Sequence, residues 1–108
     1  MECNALFGVT NSANAKRLTM TYGGTALLDT GAGSNTSVAG VNVNKTAYAR
    51  GTGTIVTTAA VSLGHGTSAN AVQVLSIAYN TDLTFAITTT MAVANEVTTL
   101  HAYQIALH

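Results

Sequence analysis

Charge is what this chain has least of. Only 7% of its 108 residues are charged, against about 25% in an ordinary globular domain. The basic residues are Lys16, Arg17, Lys45 and Arg50, the acidic ones Glu2, Asp29, Asp82 and Glu96, and the net charge is +0. Such a balance makes no field to draw a polyanion, so neither nucleic acid nor an anionic membrane surface is an expected partner. Disorder is excluded as well. It pairs low hydrophobicity with high net charge, whereas 47% of this chain is hydrophobic. A membrane-spanning helix needs about twenty mostly apolar residues in a row. The uncharged run 51–81 is broken by His65, Gly66, Ser68, Asn70 and several threonines. No secretory leader is expected, because Glu2 stands where a basic segment belongs and no apolar stretch follows.

Proline and tryptophan are absent, and Cys3 is the single cysteine. Without proline nothing interrupts a strand from within. A lone cysteine allows no internal disulfide and reads as a small buried hydrophobe. Catalytic signatures are missing too. There is no Gly-x-Ser-x-Gly elbow. The histidines His65, His101 and His108 form no His-x-His or His-Glu-x-x-His. The Gly-x-Gly triplets at Gly31, Gly51 and Gly64 do not continue into a phosphate loop. Asp29 and Asp82 fit strand ends and turns, where Asp bonds nearby backbone. Tyr22, Tyr48, Tyr79 and Tyr103 read as half-core strand residues. The expectation is a non-enzymatic protein with no metal and no cofactor.

What is present is strand grammar. Residues 16–31 read as two strands joined by Gly23-Gly24, a pair suited to the positive φ angles of a tight hairpin. A two-residue turn sets Tyr22 opposite Thr25, Met20 opposite Leu27 and Leu18 opposite Asp29. Six further strands are expected over residues 5–10, 38–50, 54–63, 71–78, 82–91 and 97–107. Val72, Val74 and Ser76 should share one face, and Leu75 and Ile77 the other. Leu83, Phe85 and Ile87 alternate, as do Tyr103, Ile105 and Leu107. About eight short strands with regular turns indicate an all-β chain forming one antiparallel β-sandwich over residues 1–108.

Loop lengths add a second expectation. In an up-and-down count the connections at 23–24, 51–53 and 79–81 are tight and fall at one end with both termini. The connections 11–15, 31–37, 64–70 and 92–96 are longer, polar and at the other end, where a rigid scaffold positions binding residues. The strands carry few charged or proline guards at sheet edges. Neutrality also favours association, so much of the surface is expected to be covered by copies of the chain or by a scaffold.

Four segments carry a resemblance. Residues 16–32 read "strand, Gly-Gly, strand, Asp-Thr-Gly", and 48–54 read Tyr-Ala-Arg-Gly-Thr-Gly-Thr. Residues 80–88 and 95–105 follow as two closing strands. Together they resemble the small trimeric jelly-roll domains of tailed-phage virion proteins, which serve as capsid decoration knobs and as tail-fibre or spike tips. Where that family often has an aromatic residue entering the fourth strand, this chain has Val41 and Val43. The resemblance implies a jelly-roll sandwich in a homotrimer on a virion. Starting at Met1 with no fibrous shaft before it, the chain is expected to be a free-standing decoration, or cement, protein that bridges subunits of the major capsid protein. Its capsid contact is expected at the tight-turn end and in Met1, Glu2, Cys3, Asn4, Ala5, Leu6 and Phe7, within an N-terminal strand and link over 1–15. The alternative is a receptor-binding or glycan-binding tip of a tail fibre or spike. It would use Ser34, Asn35, Thr36, His65, Thr67, Ser68 and Asn95 on the long loops.

Overall fold

Threonine and valine favour the extended backbone, and the chain turns that preference into strands throughout. The computed structural model describes residues 1–51, 53–58 and 72–106. Within them lie β1 (Glu2–Val9), β2 (Lys16–Tyr22), β3 (Thr25–Asp29), β4 (Gly40–Ala49), β5 (Thr54–Thr58), β6 (Val72–Ser76), β7 (Phe85–Met91) and β8 (Thr98–Ala106). They form two sheets, ordered β6-β5-β4-β1-β8 and β3-β2-β7, with every pairing antiparallel. The expected all-β, sandwich-like architecture of eight strands is therefore observed. No helix among the described residues is long and apolar enough to cross a membrane. The expected course of the fifth strand to Leu63, the loop 64–70, the start of the sixth strand at Ala71 and the end of the last at Leu107 lie outside the described residues.

The Gly-Gly hairpin forms as its sequence dictates. Gly23 and Gly24 have φ of 58° and 79°, the paired positive angles of a primed turn, and Tyr22 faces Thr25. One residue further the register departs from expectation. Met20 pairs with Leu28 rather than Leu27, and Asp29 with Thr19 rather than Leu18. The cause is a bulge at Leu27, the residue left over between the Met20–Leu28 and Thr21–Ala26 pairs. The bulge lets adjacent Leu27 and Leu28 both turn inward, at 1% and 0% exposure. Strict alternation would have put Leu28 on the outer face.

β1 begins at Glu2, three residues before the expected start, because it is the inner strand of its sheet. Glu2, Cys3 and Asn4 pair with β4 on one side and β8 on the other. β7 begins at Phe85 rather than Asp82. The residues before it are irregular, and the Thr84 carbonyl accepts a bond from the Gly23 amide. Topologically, β4 returns beside β1 after the β2–β3 hairpin has crossed to the second sheet, a Greek-key return.

Two clusters make the core. One packs Cys3, Ala5, Phe7 and Val9 of β1 with Leu18, Met20, Leu28 and Val43, and Phe85 and Ile87 lean against it. The other joins Leu27, Ala47, Ile55 and Ile77 beneath Tyr79 and Leu83. Leu75 and Ile77 face inward while Val72 and Val74 face out, as their phase predicts. Leu28→Ala should lower the unfolding free energy by about 2–5 kcal/mol, since it opens a cavity in the first cluster. Val72→Ala, on the outer surface, should change it by about 0.5 kcal/mol or less. Urea denaturation of both variants checks the contrast.

Candidate functional site

The long-loop end is assembled around a lysine. Lys16 is completely buried. An ammonium out of water needs oxygen partners, and its Nζ donates to the Ser12 Oγ and Asn14 carbonyl, each at 2.9 Å, and to the Ser12 carbonyl at 3.3 Å. The Glu96 carboxylate lies 3.7 Å away, and its Oε2 is buried without a hydrogen bond. The other oxygen, Oε1, accepts from Asn14 Nδ2 at 2.9 Å. The Lys16 backbone completes the knot. Its amide donates to the Ser34 carbonyl, and its own carbonyl accepts from Asn35 Nδ2 at 2.7 Å. Loops 11–15, 31–37 and 92–96 are thus tied together at one end, three of the four long connections that the loop-length argument places there, the fourth, 64–70, lying outside the described residues.

Ser34 and Asn35 are therefore committed to structure. Ser34 Oγ donates to the Gly31 carbonyl at 2.7 Å and shares a hydrogen bond with the Thr30 hydroxyl at 2.6 Å. Asn35 and Ser37 sit at φ of 57° and 54°, left-handed conformations that fix the loop path. Thr36 and Asn95 are exposed. His65, Thr67 and Ser68 lie outside the described residues. The N-terminal candidates divide by strand phase. Cys3, Ala5 and Phe7 are core residues, each 2% exposed, whereas Glu2, Asn4 and Leu6 face out and Met1 is half-buried. Burial raises the Cys3 thiol pKa, which keeps it protonated and unreactive.

Titratable groups are otherwise scattered. Among the described residues no three His, Cys, Asp or Glu side chains come together to hold a metal. Arg17 and Asp29 form a two-pronged pair on the β2–β3 hairpin, with Nε to Oδ1 at 2.8 Å and Nη2 to Oδ2 at 2.5 Å. The Gly31 amide adds a third bond to Oδ1.

The least expected feature is an open seam between the sheets. Tyr103 and Ile105 share the inward phase of β8 with the buried Ala5 and Cys3 opposite them, yet they are 65% and 38% exposed. Leu100, opposite Phe7, is 42% exposed. These three residues and Phe85 and Ile87 of β7 line an apolar groove of about 320 Å³. β7 and β8 are the outermost strands of their sheets on this side, so no further strand closes the groove. Sequence phase puts Tyr103 and Ile105 on one face of the strand, but it carries no signal of how far that face is covered.

A second surface was also missed. The outer face of the five-stranded sheet carries Asn4, Asn42, Asn44 and Gln104, all exposed. Asn42 and Asn44 share a face by their spacing, but the strand register alone brings Asn4 and Gln104 beside them. Comparison with known proteins returns no matching family model, no matching curated relative and no matching solved structure.

Two electrostatic predictions follow from this geometry. The Arg17 hydrogen bond, then the Gly31 amide, then the Arg17 charge hold the Asp29 carboxyl down at about 2 from a normal 3.8. A depressed pKa stabilises the fold fully above the unfolded value, and that contribution fades as pH falls from about 4 towards 2. Thermal melts across that range should show the loss in the wild type and a shallower one in Asp29→Asn. For the knot, Glu96→Ala should lower the melting temperature because it strands a buried ammonium. Replacing both partners, Lys16→Met with Glu96→Gln, should recover part of the loss.

Proposed function

We propose that the chain is a non-enzymatic structural protein that assembles with copies of itself and decorates a virion surface as a cement protein. The observation that supports this reading most is the uncovered β7–β8 seam. Exposed Leu100, Tyr103 and Ile105 continue the inner face of the core out to solvent. Covering them would bury apolar area at roughly 25 cal/mol per Å². A second copy of the chain suits the seam on charge. None of the five lining residues is charged and the net charge is +0, so identical copies meet without repulsion. Strands β7 and β8 carry no Lys, Arg, Asp, Glu or Pro, the residues that usually guard a sheet edge. Association into a homotrimer would be closed by rotational symmetry, leaving no free copy of the seam.

The virion assignment draws on the resemblance carried by residues 16–32, 48–54, 80–88 and 95–105. The jelly-roll reading draws on the nested pairs β1 with β8 and β2 with β7. In it the outermost strands of the chain share one sheet and the next ones inward share the other. The position of β4 beside β1 is a local departure from that scheme. Cement action needs a second contact, to the major capsid protein. The tight-turn end offers it, with exposed Gly23, Gly24 and Arg50 beside the N-terminal amine, which is itself fixed to the Ala47 carbonyl at 2.8 Å. Each copy would add a small increment to shell stability, and symmetry would multiply it.

Light scattering after size exclusion tests the self-association. The wild type should elute at three times the 11.0 kDa chain mass. The double variant Leu100→Lys, Ile105→Lys should elute as a folded monomer by circular dichroism. A wild type that stays monomeric at high concentration overturns the assembly reading. Quantitative mass spectrometry of purified virions tests the location. Copies in fixed ratio to the capsid protein support decoration, a handful per particle moves the protein to the tail, and absence removes the virion assignment.

A further inference from the structure

The outer face of the five-stranded sheet is a second, chemically different surface, on the far side of β1 and β8 from the core. Read across β4, β1 and β8, its rows follow from the register. Asn44, Asn4 and Gln104 lie side by side, as do Asn42, Leu6 and Ala102 in the next row. In the row beyond, Gly40 is paired with Gly8. There β8 bulges, because Leu6 pairs with Ala102 but Phe7 with Leu100, leaving His101 as the extra residue. Its imidazole lies over Gly8, where a Cβ would come within 2.5 Å of Nε2. Gly8 is thus the space that the ring occupies. Beyond β4, the exposed Tyr48 lines up with Val56 and Val74 across β5 and β6.

Relief and chemistry agree on this face. Two shallow grooves flank the Asn42–Asn44 row. One is lined by Asn4, Leu6, Asn42, Ala102, Tyr103 and Gln104, and the other by Asn44, Lys45, Tyr48, Val56, Thr57 and Val72. Among the described residues none of the four amide side chains has an intramolecular hydrogen bond. Each therefore offers a carbonyl acceptor and an amino donor outward. Neighbouring strands stand about 4.8 Å apart, so the amides of one row lie within reach of a single ligand, with Leu6 and Ala102 in the row on one side and the exposed Glu2, between Thr46 and Ala106, in the row on the other.

We infer that this face is a binding site for a neutral oligosaccharide. A sugar chain carries no charge, and each hydroxyl both donates and accepts. Vicinal hydroxyls therefore match a side-chain amide, which offers both functions from one plane. The C–H faces of a sugar ring have an apolar partner in Leu6 in one groove and in Tyr48 with Val56 in the other. A polyanion finds little counter-charge, since Asn4, Asn42, Asn44, Gln104 and Tyr48 are neutral, Lys45 at the second groove is buried, and the exposed Glu2 on the same face is acidic. A protein partner would anchor on a buried aromatic or Arg side chain, whereas this face presents mainly side-chain amides. The amides of this site face away from the β7–β8 seam, which opens between the sheets, although Tyr103 borders both the first groove and the seam.

The test uses the full-length protein and immobilised hexasaccharides of glucose, galactose and N-acetylglucosamine, with a sulfated hexasaccharide as the charged control. At least one neutral probe should bind and the sulfated one should not. Asn44→Ala and Gln104→Ala should each weaken binding about three- to tenfold, the loss of one exchanged hydrogen bond. Thr36→Ala, on the long-loop end, should leave it unchanged. All three positions face solvent, and melting curves confirm that the variants fold. Failure of every neutral probe at millimolar concentration overturns the site. So does binding that survives Asn44→Ala with Gln104→Ala, or binding that is lost with Thr36→Ala. Oligomeric state, read on the same samples, separates failure here from failure of the assembly reading.

Discussion

Three strands cannot cover five, and that mismatch governs the rest of the molecule. β3, β2 and β7 close the core where they lie across β4 and β1, and there the inward side chains are almost fully shielded. Beyond that overlap the larger sheet has no opposing layer of strands. On one side the chain repairs the gap with irregular structure: Ile77, Tyr79 and Leu83 fold over Leu27, Ala47 and Ile55. On the other side no described strand is laid over Leu100, Tyr103 and Ile105, which stay exposed. A sandwich is stable only when each apolar face has something to bury it. The uncovered seam is therefore where the physics of the fold and the case for a second copy meet.

The polar loops follow a different logic. They have the composition of a binding site, yet at the described end Ser12, Asn14, Ser34, Asn35 and Glu96 are consumed by the fold. A buried ammonium needs oxygen partners in place of water, and Lys16 gathers two carbonyls, a hydroxyl and a nearby carboxylate. The backbone of the same residue anchors Ser34 and Asn35. Loop residues spent in this way are poor candidates for recognition, because engaging a ligand would mean breaking bonds that hold the loop. Recognition chemistry falls instead to the strands, where amide side chains face outward without internal partners.

Much of the fold was legible from local patterning, and its limits can be located. Gly23-Gly24 announced a hairpin because a primed turn needs two residues with positive φ. The outward Val72 and Val74 and the inward Ile77 followed from period-two alternation. The bulge at Leu27 was not legible, since Leu-Leu at a strand end reads equally as one inward and one outward residue. Tyr103 and Ile105 share a face, as their phase indicates, but Tyr103 is more exposed than a half-core residue would be. Alternation reports which way a side chain points, while cover depends on how many strands the opposite sheet has. The amide face is a harder case. Asn42 and Asn44 are visible as a pair, but Asn4 and Gln104 join them from positions 38 and more residues away through register alone. The position of Lys16 beneath three loops likewise depends on contacts between connections that are distant in sequence.

The scarcity of charge acquires a structural meaning from the pairs that do exist. Of the eight charged side chains, four are tied up in Lys16–Glu96 and Arg17–Asp29, and Lys45 is buried. What reaches solvent is therefore even more neutral than the composition suggests. Surface charge ordinarily keeps like molecules apart and blunts open sheet edges. Here the chain gives up that protection on both of its distinctive surfaces. On the seam, neutrality permits contact with an identical copy. On the outer face it leaves hydrogen bonding as the main means of selecting a partner, and groups that both donate and accept suit uncharged polyols better than ions. Restoring charge should therefore act in opposite senses at the two places. A lysine in the seam removes an attraction between copies, whereas a lysine in the amide ladder adds one for anions that the native face does not select.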